Sequence, residues 1–384
     1  MRERTFGTLV LGIATSLLVG CGEGAVSGSG STDGGSGTVA VLISGEELAT
    51  DGFAFPTGSE VVLSDGWELS FSHVIVVIDR VWMNENPDAS PSDQSQMGER
   101  IVAQVDGPWA VDLHRKSEGG NSTPLFDIFS QDKAGASELV PGERYAFSYA
   151  TAAPSEGTKI INFDDDAEAK GLLEEMKSKG YSMLYAGKAT WKGADCKTSD
   201  DTYDFGALPT SVDFALGFAT PSEYLNCQNQ DNQGDPFEGE EYQRGVPIKD
   251  NGQSVAQMTF HVEHPFFSSV VHDSLLYFDQ FVAPLVGAPE GTVLTTELLS
   301  GLDPEGFFDG AGASLPFRTC DGSPVPSVKQ RNFETGSVPI DPKGNPAKAL
   351  RDYRDFVAYV QSAQGHLNGG EGLCFTKRNY PSPP

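Results

Sequence analysis

The sequence predicts a mainly β protein: a β-sandwich-like core with two peripheral helices and long disulfide-stapled loops. Three observations carry this. Short apolar segments recur between turn formers through residues 39–163, the rhythm of a sandwich. Helical periodicity is clear in only two stretches, 164–179 and 346–366,. Four cysteines, Cys196, Cys227, Cys320 and Cys374, stand in or beside loop-like sequence that needs tying down,.

The chain opens with Arg2 and Arg4, then an apolar run from Phe6 to Val19. That run has signal-peptide length and is short for a membrane span. It closes Leu18-Val19-Gly20-Cys21, which resembles the bacterial lipobox. The resemblance implies a signal peptide over 1–20, cleavage before Cys21 and lipid on that cysteine. Gly22 and Glu23 lack the usual retention aspartate, which implies an outer-membrane lipoprotein facing the periplasm or the cell surface. The membrane is then reached through the lipid, and an outer-membrane or periplasmic protein is the expected partner class. Residues 21–38 are nearly all Gly, Ser and small polar residues, a flexible tether that cannot build a core. Beyond it the sequence divides into a β-sandwich-like domain, 39–163, and a β-rich second half, 164–384, packed onto the first.

Lys and Arg number 26 against 54 Asp and Glu, a net charge of −28. Such a charge repels nucleic acid and anionic lipid surfaces, so no nucleic-acid partner is expected. With Cys21 lipidated, four cysteines remain, an even count that predicts two disulfides. Proximity favours Cys196–Cys227 and Cys320–Cys374, with three pairings open. Neither pair has a CxxC spacing.

In chain order, Thr38–Ser44 is a strand. Asp65-Gly66 marks a turn into Trp67–Met83, a β-branched and aromatic run that reads as one long or two consecutive strands. Strict alternation places His73 on the face of Trp67, Leu69 and Phe71. A polar loop, 84–98, leads to strands at 100–105 and 107–114, and a hairpin across that loop is expected. On the second of these, Ala110, Asp112 and His114 share one side and Trp109, Val111 and Leu113 the other. Residues 143–152, 181–191, 212–219 and 254–262 read as further strands. In the helix at 164–179, acids open the first turn and lysines the last, matching the dipole. The triplet Asp164–Asp166 and the acidic tract 231–241 are weak Ca²⁺ candidates. The EF-hand spacing is absent, so the triplet reads as a helix cap. Residues 293–300 read as a short helix.

Candidate chemistry centres on Phe260–Asp279, which holds His261, His264 and His272 with Glu263, Asp273 and Asp279. Imidazoles suit copper, zinc, iron or nickel, and carboxylates complete or orient the shell. Extended backbone turns His261 and His264 opposite ways, so a turn at His264-Pro265 is needed to bring the rings together. The candidate ligands are His73, His114, His261, His264, His272, Asp112 and Asp273. The expected cargo is copper or zinc, for uptake, storage or delivery.

The segment Asp65–Met83, DGWELSFSHVIVVIDRVWM, in an exported lipoprotein with scattered histidines and tryptophans, resembles the methanobactin-partner, MbnP-type periplasmic copper-binding proteins. The resemblance covers that segment alone. It implies a β-rich fold and copper held by histidine and oxidised tryptophan, with His73 and His114 as first candidates. Two other readings stand beside it. One is a non-catalytic structural or glycan-binding surface lipoprotein, its sugar stacking on Trp67, Trp82, Trp109 or Trp191. The other is a metal-dependent hydrolase or oxidase. No GxSxG elbow, P-loop or GxGxxG fingerprint is present, Ser268 and Ser269 near His272 form no specific triad, and no catalytic residue is assigned.

Overall fold

The computed structural model describes residues 37–56, 61–117, 120–128, 139–271 and 274–380. Residues 1–36, with Cys21, the signal segment and all but the last two residues of the tether, lie outside the described residues, as do His272 and Asp273. In chain order the strands are β1 (Val39–Ser44), β2 (Trp67–Asn84), β3 (Ile101–Asp112), β4 (Ser122–Ile128), β5 (Arg144–Thr151), β6 (Lys159–Ile160), β7 (Met183–Trp191), β8 (Lys197–Thr198), β9 (Ser211–Phe218), β10 (Ser222–Leu225), β11 (Val246–Pro247), β12 (Ser254–Phe260), β13 (Leu294–Thr295), β14 (Arg318–Thr319), β15 (Gly365–Leu367) and β16 (Phe375–Arg378). The helices are α1 (Glu46–Asp51), α2 (Ala167–Lys179), α3 (Asp279–Val282) and α4 (Tyr353–Gln361).

Two large sheets result, and the fold is mainly β with a few helices. One is four-stranded, ordered β15-β12-β1-β4. The other has ten strands, ordered β13-β9-β7-β2-β5-β10-β16, with β3, β6 and β11 attached at its side. Each sheet takes strands from both sides of residue 163. The sheets meet through aromatics: Phe260 of the smaller packs edge-on against Tyr149 and Tyr224 of the larger, and Phe126 tilts over Trp109 at 4.6 Å.

The long strand β2 organises the larger sheet. Its first half pairs with β7 and its second half with β3 and β5, all antiparallel. The β2–β3 pair is the hairpin that the polar loop predicts. Three register shifts interrupt the ladders of β2, and two of them, between Phe71 and His73 and between Ile78 and Arg80, insert an extra residue in β2 itself. Each extra residue swaps which parity faces inward. The residues of the main core are accordingly Trp67, Leu69 and Phe71, then Val74, Val76 and Ile78, then Val81 and Met83. Strict alternation therefore misplaces His73: the first bulge puts it on the side of Ile75 and Val77, the face covered by α2 through Ala169, Leu173 and Met176.

The helix α2 begins as its acidic opening predicts. Asp166 caps it, accepting from the backbone N–H groups of Glu168 and Ala169, an interaction of about 1 kcal/mol. Gly180 ends it with φ 73°, a left-handed backbone that glycine adopts without steric cost. The second helix is shorter than the sequence predicts. Asp352, accepting from the Asp355 N–H, starts α4 at Tyr353, and the helix closes at Gln361. The stretch at 293–300 becomes the two-residue β13 and a 3-10 turn, Thr296–Leu299.

All four cysteines are bridged, but as Cys196–Cys320 and Cys227–Cys374, which corrects the pairing favoured by proximity. Strand ladders decide the partners. The strands β8 and β14, next to Cys196 and Cys320, pair antiparallel. So do β10 and β16, next to Cys227 and Cys374. The bridges span separations of 124 and 147 residues. On the chain-entropy model each such loop is worth about 5 kcal/mol.

The stretch from Phe260 is pinned at its far end by a buried ionic cluster. Asp65 accepts from the backbone N–H groups of Phe278 and Asp279 at 2.8 and 2.7 Å. Asp279 in turn accepts from Trp67 Nε1 and from both Arg318 and Arg331. Two carboxylates face two guanidinium groups, which compensates charges that burial makes costly. Burial, with the neighbouring Asp279 charge, pushes the Asp65 carboxyl up to about 7.

Candidate metal centre

Three histidines converge where β12 ends. The strand stops at Phe260. His261 follows at once, and His264 opens a 3-10 turn, His264–Phe266, with Pro265 in its first positions. Proline is tolerated there because that N–H has no intrahelical partner. This is the turn the spacing requires, and it swings the His264 ring back toward His261. The third ring is His366, on β15, which lies antiparallel beside β12 with Thr259 opposite His366. One ring nitrogen from each of His261, His264 and His366 lies within 4.8 Å of the others, and the cluster is a potential metal site.

The ring planes are not alike. His261 and His366 stack at 4.3 Å between centroids, 16° from parallel. His264 stands across both, at 83° and 84°. Two nitrogens bound to one ion at about 2.0–2.1 Å are at most roughly 4.2 Å apart. A pair at the 4.8 Å limit would have to close by at least about 0.6 Å to share one ion.

Hydrogen bonds set the tautomers. His264 Nδ1 lies 3.3 Å from the Val360 carbonyl. A carbonyl only accepts, so Nδ1 holds the proton and Nε2 the lone pair. His261 Nδ1 lies 3.1 Å from Glu263 Oε1, and its Nε2 lies 3.5 Å from Glu46 Oε2. A carboxylate behind a ligating imidazole orients the ring and raises its basicity. The parallel pairing of β1 with β12 sets Ser44 beside Thr259, which carries Glu46 to the His261 end. Burial pulls the His261 pKa down, but the Glu263 hydrogen bond and the charges of Glu263, Glu46 and Glu371 outweigh it, and the net shift is upward. Glu46 is shifted up, chiefly by burial. The site thus offers three imidazoles in a field of carboxylates, a donor set and charge that suit a divalent cation.

Two further contacts build the wall. The helix α4 packs against the His264 turn, and the Tyr149 hydroxyl donates to the His366 carbonyl. Gly370 lies so close that a Cβ there would stand 2.7 Å from His261 Nε2. Only a residue without a side chain fits against that ring. The Cys227–Cys374 bridge ties down the segment that follows β15.

The other sequence candidates lie elsewhere. Asp112 is fully buried and faces His73 Nδ1 at 2.8 Å through Oδ2, while Oδ1 accepts from the N–H groups of Val74 and His114. His114 Nδ1 lies 2.9 Å from the Ala49 carbonyl. His366 was not among the sequence candidates. Helical spacing runs through it, and a three-residue strand made by tertiary pairing leaves almost no local pattern. The Gly-rich sequence around it, GHLNGGEG, is its one visible signal. Trp67, Trp82 and Trp109 are buried and Trp191 is partly so beneath Arg318, which leaves no open row of indoles for a sugar.

No known family model, curated protein or solved structure matches this chain.

Proposed function

We propose that the protein is an exported, lipid-anchored metal-binding protein that holds one copper or zinc ion on His261, His264 and His366 for uptake, storage or delivery. The observation that carries this is the meeting of three imidazoles, two from the segment after β12 and one from β15, within 4.8 Å, with Glu263 behind one of them. All four cysteines outside the signal and tether segments are tied in disulfides, so nitrogen and oxygen ligands decide the choice of ion. Imidazole with carboxylate suits Cu(II) and Zn(II) ahead of Mg²⁺ or Ca²⁺. The anchor rests on Cys21 and its lipobox. Among the described residues no helix is long and apolar enough to cross a membrane.

The test is equilibrium dialysis of the full chain, carrying Cys21→Ser to keep it free of lipid, against copper and against zinc. One ion per chain is expected, with His264→Ala abolishing it. If neither metal binds near one equivalent, or if His264→Ala alters only stability, the histidines are packed core residues and the proposal falls. Radiolabelled palmitate entering the wild type and not Cys21→Ser tests the anchor separately.

A further inference from the structure

A second recess lies apart from the histidines, and its chemistry runs against the rest of the molecule. It is a cavity of about 770 Å³ between the end of α2, the last residues of β9, the Thr296–Leu299 turn and the start of α4. That volume falls within the range of small-molecule sites. Its floor is apolar and aromatic: Tyr181, Phe218, Ala219, Ala358 and Tyr380. Gly217 makes the floor possible, because a Cβ there would stand 1.9 Å from the Tyr181 ring.

The rim is cationic in a chain of net charge −28. Lys177, Lys179, Arg351 and Arg354 line the cavity against two acids, Glu297 and Asp355. Three of the four cations are engaged. Lys177 pairs with Glu156, Lys179 with Glu175, and Arg351 grips Asp355 through Nε and an Nη. Arg354 is different: among the described residues no ion pair or hydrogen bond holds its guanidinium. A planar fork of donors, half-buried at the lip of an apolar recess, is suited to an anionic head.

We infer that this recess binds a small amphiphilic anion, an apolar body carrying one carboxylate or sulfonate, with the head on Arg354 and the body against Tyr181 and Ala358. The head group draws on charge complementarity and the body on burial. The proposal does not depend on the metal site.

The test uses the full chain with Cys21→Ser and two fluorescent probes that differ by one charged group, 8-anilinonaphthalene-1-sulfonate and the neutral N-phenyl-1-naphthylamine. Saturable one-to-one binding of the sulfonate is expected. Arg354→Gln weakens the sulfonate about tenfold and leaves the neutral probe unchanged, the loss of one charge-assisted pair. Ala358→Phe, which fills the recess, weakens both. Circular dichroism confirms that the variants fold. Displacement by dodecanoate or by 2-naphthoate, whichever is stronger, tells an aliphatic from an aromatic body. Absence of saturable binding, indifference to both substitutions, or failure of both acids to displace the probe overturns the inference.

Discussion

Two buried histidine groups in this molecule are built on opposite plans. At His73 the ring faces a buried carboxylate, and that carboxylate also accepts two backbone N–H groups. Nearby His114 spends Nδ1 on a main-chain carbonyl. Both Nδ1 atoms there are spent on protein partners, and the effect is to lock the end of β3 onto the bulge in β2. In the cluster, His264 Nδ1 faces the Val360 carbonyl and the two His261 nitrogens face Glu263 and Glu46, while one nitrogen of each ring lies within 4.8 Å of the others. Hydrogen bonds behind the rings and nitrogens turned inward are what an ion requires. Burial alone does not separate a structural histidine from a ligand; the direction of its hydrogen bonds does.

The contrast breaks first if His73→Ala behaves like a site variant. Removing His73 takes the imidazole from Asp112, which keeps two backbone donors and Arg115 at 3.8 Å, and a loss of about 1–3 kcal/mol is expected. The urea midpoint of His73→Ala should fall accordingly while metal stoichiometry stays at one per chain. The reverse holds for His264→Ala and His366→Ala. Each should lose more than about a hundredfold in metal affinity, since even outer-shell changes cost 10–100-fold, with a smaller effect on the unfolding midpoint without metal. Competition with a chelator of known affinity measures it.

A smaller effect sharpens the picture. Glu263→Gln keeps the shape of the side chain but removes the charge behind His261, and metal affinity should drop by about 10–100-fold. Gly370→Ala places a methyl against His261 Nε2, and a loss of about tenfold is expected from displacing that ring. Unchanged affinity in both variants would remove His261 from the ligand set.

The smallest effect is a pH dependence. The Asp112 hydrogen bond raises the His73 pKa despite burial. The folded value then exceeds the unfolded value of about 6.5. Stabilisation from this pair is full below that value and is lost as pH rises through the folded one. The difference in urea midpoint between wild type and His73→Gln should therefore shrink from pH 5.5 toward pH 9. A difference that grows with pH would contradict the assignment.

Much of this architecture is legible in the sequence. The strands β1, β3, β5, β7, β9 and β12, the hairpin over residues 84–98 and the cap at Asp166 all follow from local pattern. The parts that were not legible depend on distant pairing. The two bulges in β2 change the face of His73, yet a bulge adds one residue without altering composition. The disulfide partners follow from the β8–β14 and β10–β16 ladders, which proximity along the chain does not report. The candidate site was half legible. His261 and His264 share one dense segment, and Pro265 marks their turn. His366 arrives from about a hundred residues away on a strand of three residues, at a place where helical spacing masks it.

X-ray absorption at the metal edge of the copper- or zinc-loaded chain tests the central claim most directly. Three imidazoles at about 2.0 Å are expected from their multiple scattering, falling to two in His366→Ala. A shell without imidazole, or an unchanged count in that variant, would contradict the three-histidine centre.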